Sequence, residues 1–443
     1  MQRTRSRGLG AVVPAWPVGR LSWPVAVTVI VLVALALRVP LALTSGHLFG
    51  DPSDYQRHAV SIATGHGYPT TQIASSGTPA AVRPPAYPYL VGGLYALVGI
   101  HPDAARLLSA VLGVITVLLI VVLAEQLWGR RVAVIAGAIA AICPSLIALN
   151  STLLSESLFL PLEVGTAIAI LALRRGRRPV LMAALVGALC ALSTLTRSVA
   201  ILWLLPAVVA VVLAPASTRR RVAALAAMLG TCLVLFLPWA IRDAAAFRQF
   251  VPLTTQGGLT LAGQYNPQSG TDELWRIPPQ IPSLEHRLAP LYHRPGGVNE
   301  AQLNGAMTDY AVRYIRDHPG HVPVAIALNT LRLFNIGDYH QFTTSLAYRE
   351  MSLPHGLWSL TTIGVQLITV LAIVALVGRL SGRLRVRLGT PLVWAVPLLA
   401  LIATVPTNGS VRYRAPLDPF LILLAAVLLG EVFAWLRPSA PNR

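Results

Sequence analysis

An all-α, polytopic membrane protein is the fold class this sequence predicts, and three observations predict it. Of its 443 residues, 55% are hydrophobic and 12% charged, against roughly 25% charged in an ordinary soluble chain. Apolar blocks recur along nearly the whole length, many close to the ~20 residues a helix needs to cross a bilayer. The connections between most blocks are short and carry arginine. Helices satisfy their own backbone groups inside hydrocarbon, so the pattern reads as a bundle of about 10 transmembrane helices with an extracytoplasmic loop region.

The blocks, in order, are Pro24–Leu43, Ala104–Leu127, Val132–Leu149, Leu158–Leu173, Val180–Leu195, Ala200–Leu213, Val222–Trp239, Leu357–Val377, Pro391–Val405 and Phe420–Leu436. They divide the chain into an N-terminal transmembrane module (1–240) that carries a first outer loop (46–103), an extracytoplasmic region (241–356) and C-terminal transmembrane helices (357–436). Ala86–Ile100 and His321–Ile336 are apolar but short, which suits interfacial helices better than spans. Asn299–His318 is the best helix of the long outer region, and Pro319-Gly320 ends it.

Arginine near membrane helices favours the cytoplasmic side. The N-terminal Arg3, Arg5, Arg7 and Arg20, the turns Gly129–Arg131, Arg174–Arg178, Arg219–Arg221 and Gly378–Arg387, and the tail with Arg437 and Arg443 all fall inside under one alternating count. Both termini are then cytoplasmic. The segments His47–Asp103, Asn150–Ser155, Thr196–Ser198, Arg242–Gly356 and Thr407–Arg414 face outward. Localisation is the plasma (inner) membrane, with the lipid bilayer as a partner.

The net charge of +18 is not a nucleic-acid signature, because the charges sit in clusters between apolar blocks rather than along one soluble face. Every basic residue besides histidine is arginine. Cys143, Cys190 and Cys232 all lie within apolar blocks and read as small buried hydrophobes. No histidine pair has a ligand spacing that supports a metal site.

Chemistry-bearing residues gather at the outward segments. Asp51 follows the first span, where partial desolvation would raise its pKa and improve it as a base. Either Asp51 or Asp54 also suits the start of a helix over Tyr55–Thr64. Glu156 stands at the outer start of another span and equally suits capping there. Glu163, seven residues on, lies deep in an apolar segment, where ionisable groups are costly. Arg197, Arg242 and the Arg412/Arg414 pair sit at outer boundaries; guanidinium groups bind phosphate through paired donors or snorkel as interface anchors.

These residues occur in a particular order: Asp51 with Tyr55, then Arg83-Pro84-Pro85-Ala86-Tyr87-Pro88, Ala105-Arg106-Leu107-Leu108-Ser109, Ser155-Glu156, Pro238-Trp239-Ala240-Ile241-Arg242, and Arg412-Tyr413-Arg414-Ala415-Pro416-Leu417. Over about residues 25–435 this order resembles the GT-C superfamily of membrane glycosyltransferases. The branch it is most similar to holds bacterial relatives of protein O-mannosyltransferases and of the lipid A aminoarabinose transferase. The resemblance implies a GT-C-like helical bundle and an enzyme that moves a hexosyl or pentosyl unit from a polyprenyl-phosphate donor to an extracytoplasmic acceptor in the cell envelope, by inverting displacement. It implies catalytic roles for Asp51, as base, and Glu156. It gives donor-phosphate binding to Arg242, Arg412 and Arg414, and loop or substrate shaping to Tyr55, Arg83, Tyr87 and Tyr413. No cofactor is required by the pattern, and a divalent metal is compatible with it. The O-mannosyltransferases usually carry a paired Asp-Glu in the first loop, whereas Pro52 follows Asp51 here, which weakens a protein acceptor. A flippase or transporter of lipid-linked sugars is the rival reading, and a glycan polymerase or ligase the next.

Overall fold

The computed structural model of the chain describes residues 22–44, 46–269, 275–336, 349–351, 355–384 and 388–436. It is a multi-pass helical membrane protein. Among the described residues, seven helical segments are long and apolar enough to cross a membrane. They are α1 (Trp23–Thr44), α4 (Pro102–Trp128), α7 (Glu156–Arg174), α8 (Pro179–Thr196), α10 (Thr218–Phe247), α15 (Trp358–Leu380), and α17 (Asp418–Trp435) with the 3-10 turn Val411–Leu417 before it. Their outer faces expose large apolar side chains such as Leu233, Val234, Leu367, Val370 and Ile373, the surface a bilayer would cover.

The three remaining expected spans are interrupted or short, each for a local reason. Val132–Leu149 is two helices, α5 (Arg130–Ile142) and α6 (Pro144–Leu149), broken at Cys143 with extended backbone. Proline pushes its predecessor out of the helical region and has no N–H to give the carbonyl four residues back. That carbonyl belongs to Ala140, and Arg38 of α1 supplies the missing donors: Nη2 to Ala140 O at 3.1 Å and Nη1 to Ala141 O at 2.9 Å. Ala200–Leu213 is a 3-10 turn, Ser198–Trp203, running into α9 (Leu204–Val212). The block at Pro391–Val405 is the 14-residue α16 (Pro391–Thr404).

The two segments read as interfacial are α3 (Ala86–Val98) and α14 (His321–Leu333), each of 13 residues. At ~1.5 Å per residue such a helix is about 20 Å long, short of the ~30 Å hydrocarbon core. Between them the chain forms α11 (Gly257–Gln264), α12 (Pro282–Tyr292) and α13 (Glu300–Asp317) around a second core of Tyr265, Leu284, Leu288, Leu303 and Met307. A capping box between Asn299 and Gln302 starts α13. Glu300 then ties this layer to the first loop, accepting from Thr71 Oγ1, from Ala81 N at 2.7 Å and from Thr255 Oγ1 at 2.6 Å.

The basic turns collect at one end of the bundle. The Arg130 guanidinium lies over the Trp23 ring at the start of α1, Arg175 donates to Gln126 O, and Arg221 donates to Ala214 O. Arg3, Arg5, Arg7, Arg20, Arg437 and Arg443 lie outside the described residues, as does part of the Gly378–Arg387 turn.

Candidate active site

At the opposite end, three distant segments converge on one guanidinium. Arg412 reaches Asp51 Oδ2 through Nη2 and Glu350 Oε2 through Nη1 at 2.7 Å, and its Nε stands 2.8 Å from Glu156 Oε1. Asp51 opens α2 (Asp51–Ala63), Glu156 opens α7, Glu350 comes from the outer region, and Arg412 sits in the Val411–Leu417 turn. Arg83 closes the other side of Asp51, and its Nε bonds Asp54 Oδ2 at 2.8 Å. Arg197 Nη1 stands 2.8 Å from the same Glu156 oxygen that faces Arg412.

Helix capping accounts for none of the three helix-start acids. The N-cap of α2 is Gly50, with φ 65°, and that of α7 is Ser155; neither makes a side-chain cap bond. The Asp51, Asp54 and Glu156 carboxyls turn to arginines instead. This also corrects the expected direction of the Asp51 pKa. Burial would push its carboxyl up, but the Arg83 and Arg412 guanidiniums outweigh burial and hold it below the usual carboxylate range. Asp54 is held low in the same way, against burial, by His58 and Arg83. Glu350 goes the other way: burial pushes it up to about 7, with the Asp51 charge adding and Arg412 opposing.

A cavity of about 540 Å³ opens beside this cluster, and Tyr55, Arg83, Arg197, Arg412 and Tyr413 are among its lining residues. The rest of the lining mixes apolar side chains such as Val199, Leu202, Leu253 and Leu261 with polar ones such as Ser198, Gln256, Asn304 and Asn408. The Tyr413 ring lies under two guanidiniums, 4.9 Å from Arg197 and 5.3 Å from Arg412. Tyr55 lies under Arg83 and meets Tyr87 edge-on at 5.1 Å. Tyr87 is fully buried and bonded to Ser109, so it supports the wall from behind.

Two expected phosphate-binding residues stand apart. Arg414 is spent on Asp418, at 2.7 Å, and on Leu333 O, at 2.8 Å, inside the bundle. Arg242 lies beyond the Arg83–Ala86 segment, between the Tyr68 and Trp239 rings, bonded to Ala80 O and Asp243. It heads a separate apolar groove of about 630 Å³ lined by Leu90, Leu158, Leu162, Leu192 and Leu235. Two members of the cluster were not singled out as site residues from sequence. Arg197 was visible only as a boundary arginine. Glu350 follows another arginine in a long polar loop and gives no local signal. Among the described residues, no group of three His, Cys, Asp or Glu side chains is arranged to hold a metal ion.

Residues 82–241 match the family described as dolichyl-phosphate-mannose-protein mannosyltransferase. The fold is similar to that of the archaeal oligosaccharyltransferase AglB from Archaeoglobus fulgidus, solved with an inhibitory peptide and a dolichol-phosphate: TM-score 0.52, 14% identity, covering 93% of this chain and 50% of that one. The apo form of the same organism's enzyme gives TM-score 0.52 at 14% identity, over 94% of this chain and 51% of that one. ArnT from Cupriavidus metallidurans matches at TM-score 0.43 and 14% identity, over 91% of this chain and 77% of that one. The chain thus spans about half the length of the oligosaccharyltransferases it matches. No curated protein matches its sequence.

Proposed function

We propose that this chain is a member of the GT-C superfamily of membrane glycosyltransferases and moves a sugar from a polyprenyl-phosphate donor to a hydroxyl acceptor on the extracytoplasmic side. One observation carries the reading: Asp51 and Glu156, acids more than a hundred residues apart, meet on Arg412, which lines a cavity whose wall combines guanidiniums, uncharged polar groups and apolar side chains. Such a lining suits a ligand with an anionic head, sugar hydroxyls and a hydrocarbon part. Gathering of the basic turns at the far end of the bundle favours placing the cluster outside.

In the reaction the acceptor oxygen attacks the anomeric carbon as the bond from that carbon to the phosphate oxygen breaks. The electron pair leaves with the phosphate. Arg412 and Arg197 face the cavity where that negative charge grows. The hydroxyl proton passes to Asp51. As it stands, Asp51 is a weak base because two arginines stabilise its charge. The negative charge of a phosphate beside Arg412 would offset part of the guanidinium field that keeps Asp51 ionised and so raise its basicity. A single displacement inverts the carbon. Glu156 anchors Arg412 and Arg197 through one oxygen. The outer region 241–356 would form the acceptor side, since Leu253 and Leu261 line the cavity.

The test is radiolabelled sugar transfer from a panel of polyprenyl-phosphate sugars in proteoliposomes. Transfer from at least one donor is expected. Asp51→Asn should slow it by ~10²–10⁴-fold, the range for loss of a positioned base. Near-full transfer by Asp51→Asn removes the residue from that role, and no transfer with any donor removes the function.

A further inference from the structure

Glu350 has no part in the displacement just described, yet it occupies a whole face of Arg412. Its carboxylate takes Arg412 Nη1 with one oxygen and the Asp51 backbone N–H, at 3.3 Å, with the other. Space for it comes from Gly50, where a Cβ would run into the Glu350 carboxyl, at a φ that itself favours glycine. The neighbours dock too: Arg349 lies over the Phe49 ring at 4.7 Å, and Met351 is buried with its carbonyl bonded to Ser151. The carboxylate is therefore seated by geometry from both sides.

A phosphate meets competition at every nitrogen of this arginine, because each already faces one carboxylate oxygen, while Nη1 and Nη2 each keep a second N–H. The local charges also balance, with Arg57, Arg83, Arg197 and Arg412 against Asp51, Asp54, Glu156 and Glu350. An arriving anion would leave the cluster with an uncompensated negative charge in a largely desolvated place, which is costly. Something negative must yield. Asp51 is held by two arginines, and Glu156 is held by two and is almost wholly buried. Glu350 has one arginine and, like Asp51 but unlike Glu156, keeps part of its side chain exposed.

We infer that Glu350 is a displaceable stand-in for the donor phosphate: it holds Arg412 in the empty site and gives up Nη1 when a lipid phosphodiester binds. This rests on the donor reading above. Glu350 is a positioning residue in this account, acting through Arg412 and touching neither sugar nor acceptor. Its titration supports the exchange. The groups facing it are Arg412, Asp51 and Arg83, with Glu156 across the guanidinium, and its carboxyl loses its proton near pH 7. Below that pH it is neutral and grips Arg412 weakly; above it, the carboxylate competes fully with the ligand.

The experiment is the binding of an undecaprenyl methyl phosphodiester, whose own charge is constant from pH 6 to 8.5, to the full chain in detergent and to Glu350→Gln. For the wild type, affinity should fall by roughly 30-fold from pH 6 to pH 8.5, as proton uptake rises toward one per ligand bound above pH 7. Glu350→Gln should bind at pH 8.5 about as tightly as the wild type at pH 6, with a flat profile. A flat wild-type profile overturns the inference without any variant. So does a slope that persists in Glu350→Gln, or weaker binding by the variant at both pH values. Those results leave the donor reading standing. If neither protein binds the phosphodiester at any pH, the donor reading fails and the exchange falls with it.

Discussion

Arg412 and Arg414 are two residues apart in one turn, are buried to nearly the same extent, and meet opposite surroundings. Arg414 is paired within its own helix start, with Asp418 four residues on, and Ser145 completes the pair by donating to Asp418 at 2.8 Å. Arg412 draws its partners from three remote segments and lines a cavity. The 3-10 geometry of Val411–Leu417 separates them, because three residues per turn sends neighbours at i and i+2 about a third of a turn apart. Burial and charge are thus equal at the two sites, and neither distinguishes function from support. What differs is whether the charged partner is local, as Asp418 is to Arg414, or drawn from distant segments, as at Arg412.

Substitutions at the two positions should separate these roles. The largest effect belongs to Arg412→Ala, which takes one of two arginines from Asp51 and from the buried Glu156 and leaves Glu350 without its arginine. Breaking a buried pair from one side costs about 3–5 kcal/mol, so a lower melting temperature in detergent should accompany loss of sugar transfer. Arg414→Ala strands Asp418 and should cost a similar amount of stability, yet transfer per folded molecule should stay at the wild-type rate. A drop in that rate would return Arg414 to the donor site. The smallest effect belongs to Tyr413→Leu, which removes the ring beneath both guanidiniums. Cation–π contacts of this kind contribute about 0.5–2 kcal/mol, so the donor KM should rise by roughly 2- to 30-fold with the melting temperature little changed.

The fold was largely legible because its signals are local. Apolar runs such as Pro24–Leu43 and Ala104–Leu127 became α1 and α4 within a residue or two at each end. The short segments Ala86–Ile100 and His321–Ile336 stayed short. The break at Cys143-Pro144 was written in the sequence as a proline within an apolar block, but hydropathy averages over it. The site was legible in part. Asp51, Glu156 and Arg412 stood out because charge at a membrane boundary is conspicuous, and the structure brings them together. Arg414 and Arg242 looked equivalent to Arg412 by that signal and are not, since side-chain direction in a 3-10 turn and the path of the Arg83–Ala86 segment are not properties of spacing. Glu350 was hidden because an acid in a polar loop is ordinary until a long-range contact makes it otherwise. The Asp51 pKa was expected to move up from burial alone; the two guanidiniums that reverse the direction come from positions 32 and 361 residues away.

A double-mutant cycle on kcat/KM tests most directly whether Asp51 and Arg412 work as one unit while Arg414 does not. The singles are Asp51→Asn, Arg412→Lys and Arg414→Lys, with the two doubles that contain Asp51→Asn. Residues acting together give strongly non-additive losses. The 51/412 double should be about as slow as its worse single, and the 51/414 double should equal Asp51→Asn alone. Losses that simply add at 51 and 412, or coupling at 51 and 414 instead, would contradict the arrangement proposed here.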